Sequence, residues 1–404
     1  MYCTREISKD IYWVGGTDRR LALFENMFPL PHGVSYNSYL ILDEKTALVD
    51  TVDSAITQQF LENVVHTLAG RTLDYLIVNH MEPDHCSNIE ELARRYPNMK
   101  IVGNKKTFQM VRQFYNLESE DQFYEVAEHD ELPLGSHCLQ FHFAPMIHWP
   151  EVMLAYETSK HILFSADAFG AFGAYTGNLF QDEVDYGDIQ LEEARRYYTN
   201  IVGKYGPQVQ SALAKLSGVT INMICPLHGY VWRDNIPLLL DKYQHWSTYT
   251  PEKNGVVLIY ASMYGNTENA VNSLATMLAE RGVRDIKIYD ISKTHASYII
   301  AEAFRYSHLV FACPTYNGGL YFGMDALLRE IQGLNLQNRK LALIGNGSWA
   351  PASGRIMQDF FANMKNMTLV APPFELLSSM KDKQLPALEE LAEHIIGSMH
   401  TDSQ

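Results

Sequence analysis

His80-Met81-Glu82-Pro83-Asp84-His85 puts four side chains able to bind a metal within six residues, directly after the apolar run 73–78. A strand that ends with that run delivers all four into one loop at its carboxyl end. A metal ion needs donors from more than one loop, so further ligands are expected after other strands. His148 in Met146-Ile147-His148-Trp149-Pro150-Glu151, Asp167 in Ser165-Ala166-Asp167-Ala168-Phe169-Gly170 and His228 in Cys225-Pro226-Leu227-His228-Gly229 each follow such a run. Together they make seven donors, enough for two metal sites.

The hexapeptide resembles the metal loop of the metallo-β-lactamase superfamily, His-x-His-x-Asp-His, which usually holds two zinc ions. Here Glu82 stands at the second histidine. That exchange moves the donor set from nitrogen-rich toward oxygen-rich, and so from zinc toward iron. Three carboxylates and a bridging hydroxide approximately offset two ions cycling between the +2 and +3 states, which four neutral imidazoles would not.

Over nearly its whole length the chain resembles the flavodiiron proteins, A-type flavoproteins with a lactamase-like diiron domain followed by a flavodoxin-like domain. The resemblance implies one iron held by His80, Glu82 and His148, a second by Asp84, His85 and His228, and Asp167 bridging both; ligation at the position of His85 varies within the family. It also implies a pocket-edge loop at Pro31-His32-Gly33, where His32 is the candidate catalytic donor of a proton or hydrogen bond. Glu151 stands where Asp is frequent in the family, Ala166 where Asn is, and Cys86 where Ala is. Cys86 reads as a small buried hydrophobe, with a competing ligand or oxidation target as the alternative. His142 in Phe141-His142-Phe143 alternates with core residues and is expected on the solvent face of a strand.

Short apolar runs mixed with helical spacing occupy residues 1–250, which suits two sheets covered by helices, an αββα sandwich of mixed α/β and α+β character. Residues 245–255 carry linker chemistry, with Ser247, Thr248, Thr250, Pro251, Asn254 and Gly255. From 251 to 404 five runs alternate with helical segments, the pattern of a doubly wound parallel sheet of flavodoxin size.

The first of these runs leads into Ser262-Met263-Tyr264-Gly265-Asn266-Thr267 and a helix. Hydroxyls and glycine-eased amides at a helix N-terminus make a phosphate cradle without lysine. The loop has neither the Gly-Lys-Ser/Thr of a triphosphate loop nor G-x-G-x-x-G, so a mononucleotide is expected. Pro314-Thr315-Tyr316-Asn317-Gly318-Gly319 and Asn346-Gly347-Ser348-Trp349 follow the third and fourth runs, where amides can meet a flavin's pyrimidine edge and Tyr316 or Trp349 its ring. The expected cofactors are FMN and two iron ions.

A diiron centre with a flavin implies reductive chemistry. The resemblance implies an oxidoreductase that takes O2 to water, NO to N2O, or both, with electrons from a rubredoxin, a flavoprotein reductase or a reduced deazaflavin. No Cys-x-x-Cys pair is present for a fused rubredoxin, so the donor is expected to be a separate molecule. Domains of this size have radii of gyration of roughly 15 to 18 Å, so the two cofactors of one chain are expected to lie too far apart for fast transfer. A head-to-tail homodimer, as the family forms, or a dimer of such dimers, would join flavin and iron across subunits. The rival from another class is a zinc-dependent hydrolase of the same fold with a fused flavodoxin domain; an electron carrier without gas chemistry is a third reading.

The chain has 404 residues, 47% hydrophobic and 20% charged, and a net charge of −15, which argues against nucleic acid as a partner. Five scattered cysteines suggest reduced thiols in a cytoplasm. No apolar leader or membrane-length run is seen, so a soluble, non-secreted protein is expected.

Overall fold

The strand Thr46–Val49 is buried at every position, which a sheet permits only where both its faces are covered. In this computed structural model, which describes residues 1–117, 120–185 and 188–401, the chain divides into two compact units, Met1–Tyr243 and Gln244–Gln404.

The first unit holds two main sheets. One has seven strands in the order Arg5–Ser8, Ile11–Trp13, Tyr39–Leu42, Thr46–Val49, Tyr75–Ile77, Lys100–Gly103 and Phe123–Glu125. Its first four are antiparallel neighbours and the rest run parallel. The other orders Glu131–Pro133, Cys138–Phe143, Met153–Glu157, Ile162–Phe164 and Met223–Cys225. Side chains of both sheets share one core, with Ile41, Val49 and Ile77 from the first meeting Phe141, Ala155 and Phe164 from the second. Parallel neighbours require crossover connections, and with the inner faces packed together the crossover helices must take the outer ones. Thr57–Leu68, Lys105–Phe114 and Gly206–Leu216 are such helices. The αββα expectation holds.

Lys105–Phe114 was not apparent from the sequence, because only Thr107, Phe108 and Val111 are buried on it. Its signal was the cap: the Asn104 side chain accepts hydrogen bonds from the amides of Lys106 and Thr107 at 2.9 and 3.2 Å.

The second unit is a parallel sheet in the order Ile286–Asp290, Lys253–Tyr260, Tyr306–Tyr316, Arg339–Asn346 and Met367–Leu369. In chain order this is 2-1-3-4-5, the flavodoxin arrangement. Helices cover both faces, with Ile299, Leu328 and Met357 packed on one and Val271, Leu274 and Leu391 on the other.

Two expectations need correction. The stretch 245–255 is not a free linker: its helix runs to Ser247, the next strand starts at Lys253, and the buried Arg339 guanidinium holds the carbonyl of Tyr249 at 2.7 Å. A buried cation must collect hydrogen-bond acceptors, and Arg339 collects the carbonyls of Ala303 and Gln337 as well. His142 is also not on a solvent face. It is 5% exposed, because Tyr156 and the turn carrying His129 lie over that side of the strand.

Candidate functional site

The apolar strand Tyr75–Ile77 stops where Asp50 takes over as a hydrogen-bond acceptor. Its carboxylate receives the amides of Asn79 and His80 at 2.8 and 3.2 Å, which fixes the start of the metal loop. Burial pushes the Asp50 carboxyl up to about 7, against the pull of His85 and those two amides. Pro83 then opens the short helix Pro83–Cys86 with Glu82 as its N-cap, so Glu82, Asp84 and His85 leave the backbone in a tight arc.

The seven predicted ligands come together in two groups, His80, Glu82, His148 and Asp167 in one and Asp84, His85 and His228 in the other. Asp167 faces both. Its Oδ2 lies 3.2 Å from His148 Nε2 and 3.4 Å from His80 Nε2, while its Oδ1 lies 3.1 Å from His85 Nε2 and 3.7 Å from His228 Nε2. One carboxylate oxygen per group is the geometry a bridging ligand requires.

The imidazoles are aimed by their other nitrogens. His80 Nδ1 donates to Glu151 Oε1 at 2.8 Å, and that oxygen also receives the Met81 amide at 2.8 Å. His228 Nδ1 donates to the Ser35 carbonyl at 2.7 Å. Both bonds fix the tautomer that leaves Nε2 free for a metal. Gly229 holds the turn behind His228: it has φ +75°, and a Cβ there would meet the Ala171 backbone nitrogen at 3.0 Å.

Both Asp84 oxygens and Asp167 Oδ1 are buried with no hydrogen-bond partner among the described residues. Leaving such atoms unmatched costs about 1–3 kcal/mol each, more when charged, and cations between the two groups would offset it. Burial disfavours ionisation of Glu82 and Asp167, yet His148 and His80 for the first, and His85 and His80 for the second, hold both well below the carboxylate range. Burial likewise opposes the charge on His148, but Asp167 and Glu82 raise it to about 9. These groups share charge with one another, and four imidazoles with three carboxylates suit iron.

Several neighbours were not singled out from the sequence. Phe24, Tyr36 and Tyr197 pack around His228 with ring centroids 5.3, 5.6 and 5.4 Å away, and Trp149 stands against His80 at 5.4 Å. The Tyr197 hydroxyl is buried without a hydrogen-bond partner among the described residues. Glu25 lies in the three-residue turn between Phe24 and Phe28, with φ +50° there and +54° at Asn26, the left-handed pair at the centre of a type I′ turn. The residue is exposed as a whole; desolvation of its carboxyl, then the neighbouring Glu82 carboxylate, push it up to about 8. Short turns and aromatic core positions carry no mark of a site until the chain is folded.

His32 is exposed and belongs to neither group; its carbonyl pairs with the Ala174 amide at 2.9 Å, just beyond the Asp167 loop. Cys86 is fully buried, its thiol within 3.2 Å of the Met81 carbonyl and the Tyr115 hydroxyl. That matches the reading as a small buried side chain.

In the second unit a cavity of about 300 Å³ opens at the carboxyl ends of the strands, within the range for small-ligand pockets. All the predicted flavin-loop residues line it except Gly265, Tyr316 and Gly319, and Ala350 and Ser378 join them. Gly265 caps the helix Asn266–Glu280 at φ +84°, a left-handed position where another residue costs about 1 kcal/mol or more. No lining residue is basic, so an anion there must rely on hydroxyls, amides and the helix dipole. Tyr264 and Trp349 are each 91% exposed at its rim, flat apolar surfaces that a planar ring would cover. Thr315 serves another purpose, its hydroxyl accepting the amides of Ala352 and Ser353 at 2.9 and 3.1 Å. Ser378, from the strand end after Phe374–Leu376, supplies its carbonyl to Asn346 Nδ2 at 2.9 Å.

Comparison with known proteins agrees with the two folds. Residues 34–229 match the family model of ODP family beta lactamases and residues 258–368 that of flavodoxins. The chain is 30% identical over 404 aligned residues to the anaerobic nitric oxide reductase flavorubredoxin of Vibrio vulnificus, an alignment covering 97% of this chain and 78% of that one. The rubredoxin oxygen:oxidoreductase structure from Desulfovibrio gigas superposes with a TM-score of 0.93 at 26% identity, covering 99% of both chains. A flavodiiron protein from Giardia intestinalis, at 24% identity, shares the fold with a TM-score of 0.90 over 99% of this chain and 98% of that one.

Proposed function

This chain belongs to the flavodiiron protein family, and from that premise we propose that it is a diiron and FMN oxidoreductase reducing O2 to water, NO to N2O, or both. The observation that carries the reading is the Asp167 carboxylate, with one oxygen turned to each of two ligand groups. Two ferrous ions and reduced FMN held at these sites would supply four electrons, which one O2 needs to become two waters, while two NO need only two.

His80, Glu82 and His148 would hold one iron and Asp84, His85 and His228 the other, with Asp167 shared. Glu151 and the Ser35 carbonyl orient His80 and His228, and Phe24, Tyr36, Tyr197 and Trp149 give the centre walls that exclude water. Protons are assigned to groups at its edge: the Glu25 carboxyl against Glu82, the Tyr197 hydroxyl, and His32 from solvent. In the second unit the Ser262–Thr267 loop would cradle the FMN phosphate, with Tyr264 and Trp349 over the ring.

Anaerobic reduction followed by separate exposure to O2 and to NO in a gas electrode tests this. Consumption of at least one gas, dependent on both cofactors, is expected; reoxidation of the flavin without gas uptake would contradict it.

The electron donor is proposed to be a separate protein or a reduced deazaflavin; rubredoxin is named for the Desulfovibrio relative. We place the protein in the cytoplasm, with all five cysteines free; among the described residues no helix is long and apolar enough to cross a membrane. Assembly is proposed as a head-to-tail dimer in which the flavin of one subunit serves the irons of the other. Mixing a metal-dead with a flavin-dead variant is then expected to restore activity in the hybrid fraction, and mixed dimers with no activity would refute transfer between subunits.

A further inference from the structure

We infer that Glu128, His129 and His142 form a second, independent binding site for a zinc-class divalent cation. One ligand atom from each lies within 4.8 Å of the others, and none belongs to the diiron groups. Two imidazoles, one carboxylate and a water make the four-coordinate set that zinc, cobalt or nickel accepts.

His142 carries the inference. It sits on the strand Cys138–Phe143, opposite Leu154 of the next strand. It is 5% exposed, and neither ring nitrogen has a hydrogen-bond partner among the described residues. A buried imidazole with both nitrogens unmatched is uncommon in a stable core. Burial, then the neighbouring His129, pull it below the ordinary imidazole value, which leaves it neutral and ready to donate a lone pair. A cation on the Glu128–His129 side would satisfy one nitrogen.

The other two donors are already held in place. His129 stands with φ +68°, its amide donates to the Phe141 carbonyl at 2.8 Å, and the Phe141 amide returns a bond to Asp130 at 3.1 Å. The rings of His129 and His142 have centroids 5.2 Å apart. Glu128 Oε2 accepts the Phe143 amide at 2.8 Å, and Glu128 Oε1 lies 3.8 Å from His129 Nε2. The turn and the strand therefore present three donors with little to reorganise.

Lys215 is the competitor. Its ammonium lies 3.4 Å from both Glu128 oxygens and donates to the Phe143 carbonyl at 2.8 Å. Its side chain is 40% exposed, so it can swing into solvent when a divalent ion takes its place. Removing that ammonium frees both Glu128 oxygens from it, so a metal site there tightens when Lys215 loses its charge.

The test is calorimetric titration of holoprotein, with iron and FMN loaded, by Zn²⁺ alone, with iron in the buffer monitored to exclude exchange. One further zinc per chain is expected. His142→Asn removes it, and His129→Ala, at an exposed residue, weakens it tenfold or more, while Lys215→Met tightens it about two- to five-fold. Anomalous diffraction above the zinc edge then shows a peak among the three side chains. No extra zinc, or an affinity unchanged in His129→Ala, overturns the inference.

Discussion

An Asp167→Ala protein is expected to lose most of its iron and at least about 100-fold of its gas-reducing rate, while keeping one FMN per chain. Mutating partners that only orient ligands already costs about 10- to 100-fold in affinity or activity, and Asp167 stands closer than that. Its two oxygens lie 3.1–3.4 Å from imidazole nitrogens of both groups. Without it four imidazoles face one another across the site, two of them with Nε2 atoms 2.9 Å apart in His85 and His228, and no shared anion balances two ions. Iron by mass spectrometry, flavin by absorbance and gas uptake measure the three quantities. Retained FMN shows that the flavin unit is intact, since its cleft lies in the other unit, and an unchanged far-UV circular dichroism spectrum separates a lost centre from an unfolded first unit. Two irons and an ordinary rate in this variant would mean that Asp167 does not bridge.

Glu82→His is expected to keep metal but change which one. Glu82 Oε2 lies 3.2 Å from His80 Nε2 and 3.0 Å from His148 Nε2, so a histidine there would complete three nitrogens around one position. A site with three imidazoles favours zinc and leaves less anionic charge to stabilise ferric iron. In cells supplied with both metals the purified variant should carry mostly zinc at that position, and oxygen or nitric oxide uptake should fall by about 100-fold or more, in line with a ligand rather than an outer partner. Iron content at the level of the unaltered protein would show that the other ligands decide the metal.

How far the sequence carried this site depends on where its chemistry is written. The seven ligands are short signals at the ends of apolar runs, one run in the first sheet and three in the second, and the packing of the two sheets brings them into the two groups. Glu151 was visible only as a departure from the family's usual Asp; its task, holding His80 Nδ1 and the Met81 amide together, needs a contact across about seventy residues of chain. Asp50 ends a strand like many others and becomes a loop anchor only when Asn79 and His80 fold over it. Tyr197 reads as one more core residue of the helix Asp188–Tyr197. His142 was misread because alternation assumes that one face of a strand meets water, which fails where a turn and a neighbouring tyrosine cover it.

The flavin unit was more legible, since a parallel sheet puts its loops at one edge whatever packs beneath them. The 2-1-3-4-5 order brings the loops after its first, third and fourth strands together in one cleft. Ser378 was missed because the last strand is interrupted, with Met367–Leu369 and Phe374–Leu376 both pairing with Arg339–Asn346. A split strand hides its own carboxyl end.

The central claim is that the loop opened by His80 and Glu82 holds two irons. Metal analysis of protein purified without added metal tests it most directly: two iron and one FMN per chain are predicted. Two zinc ions per chain, with ester or thioester cleavage and no uptake of O2 or NO, would contradict it.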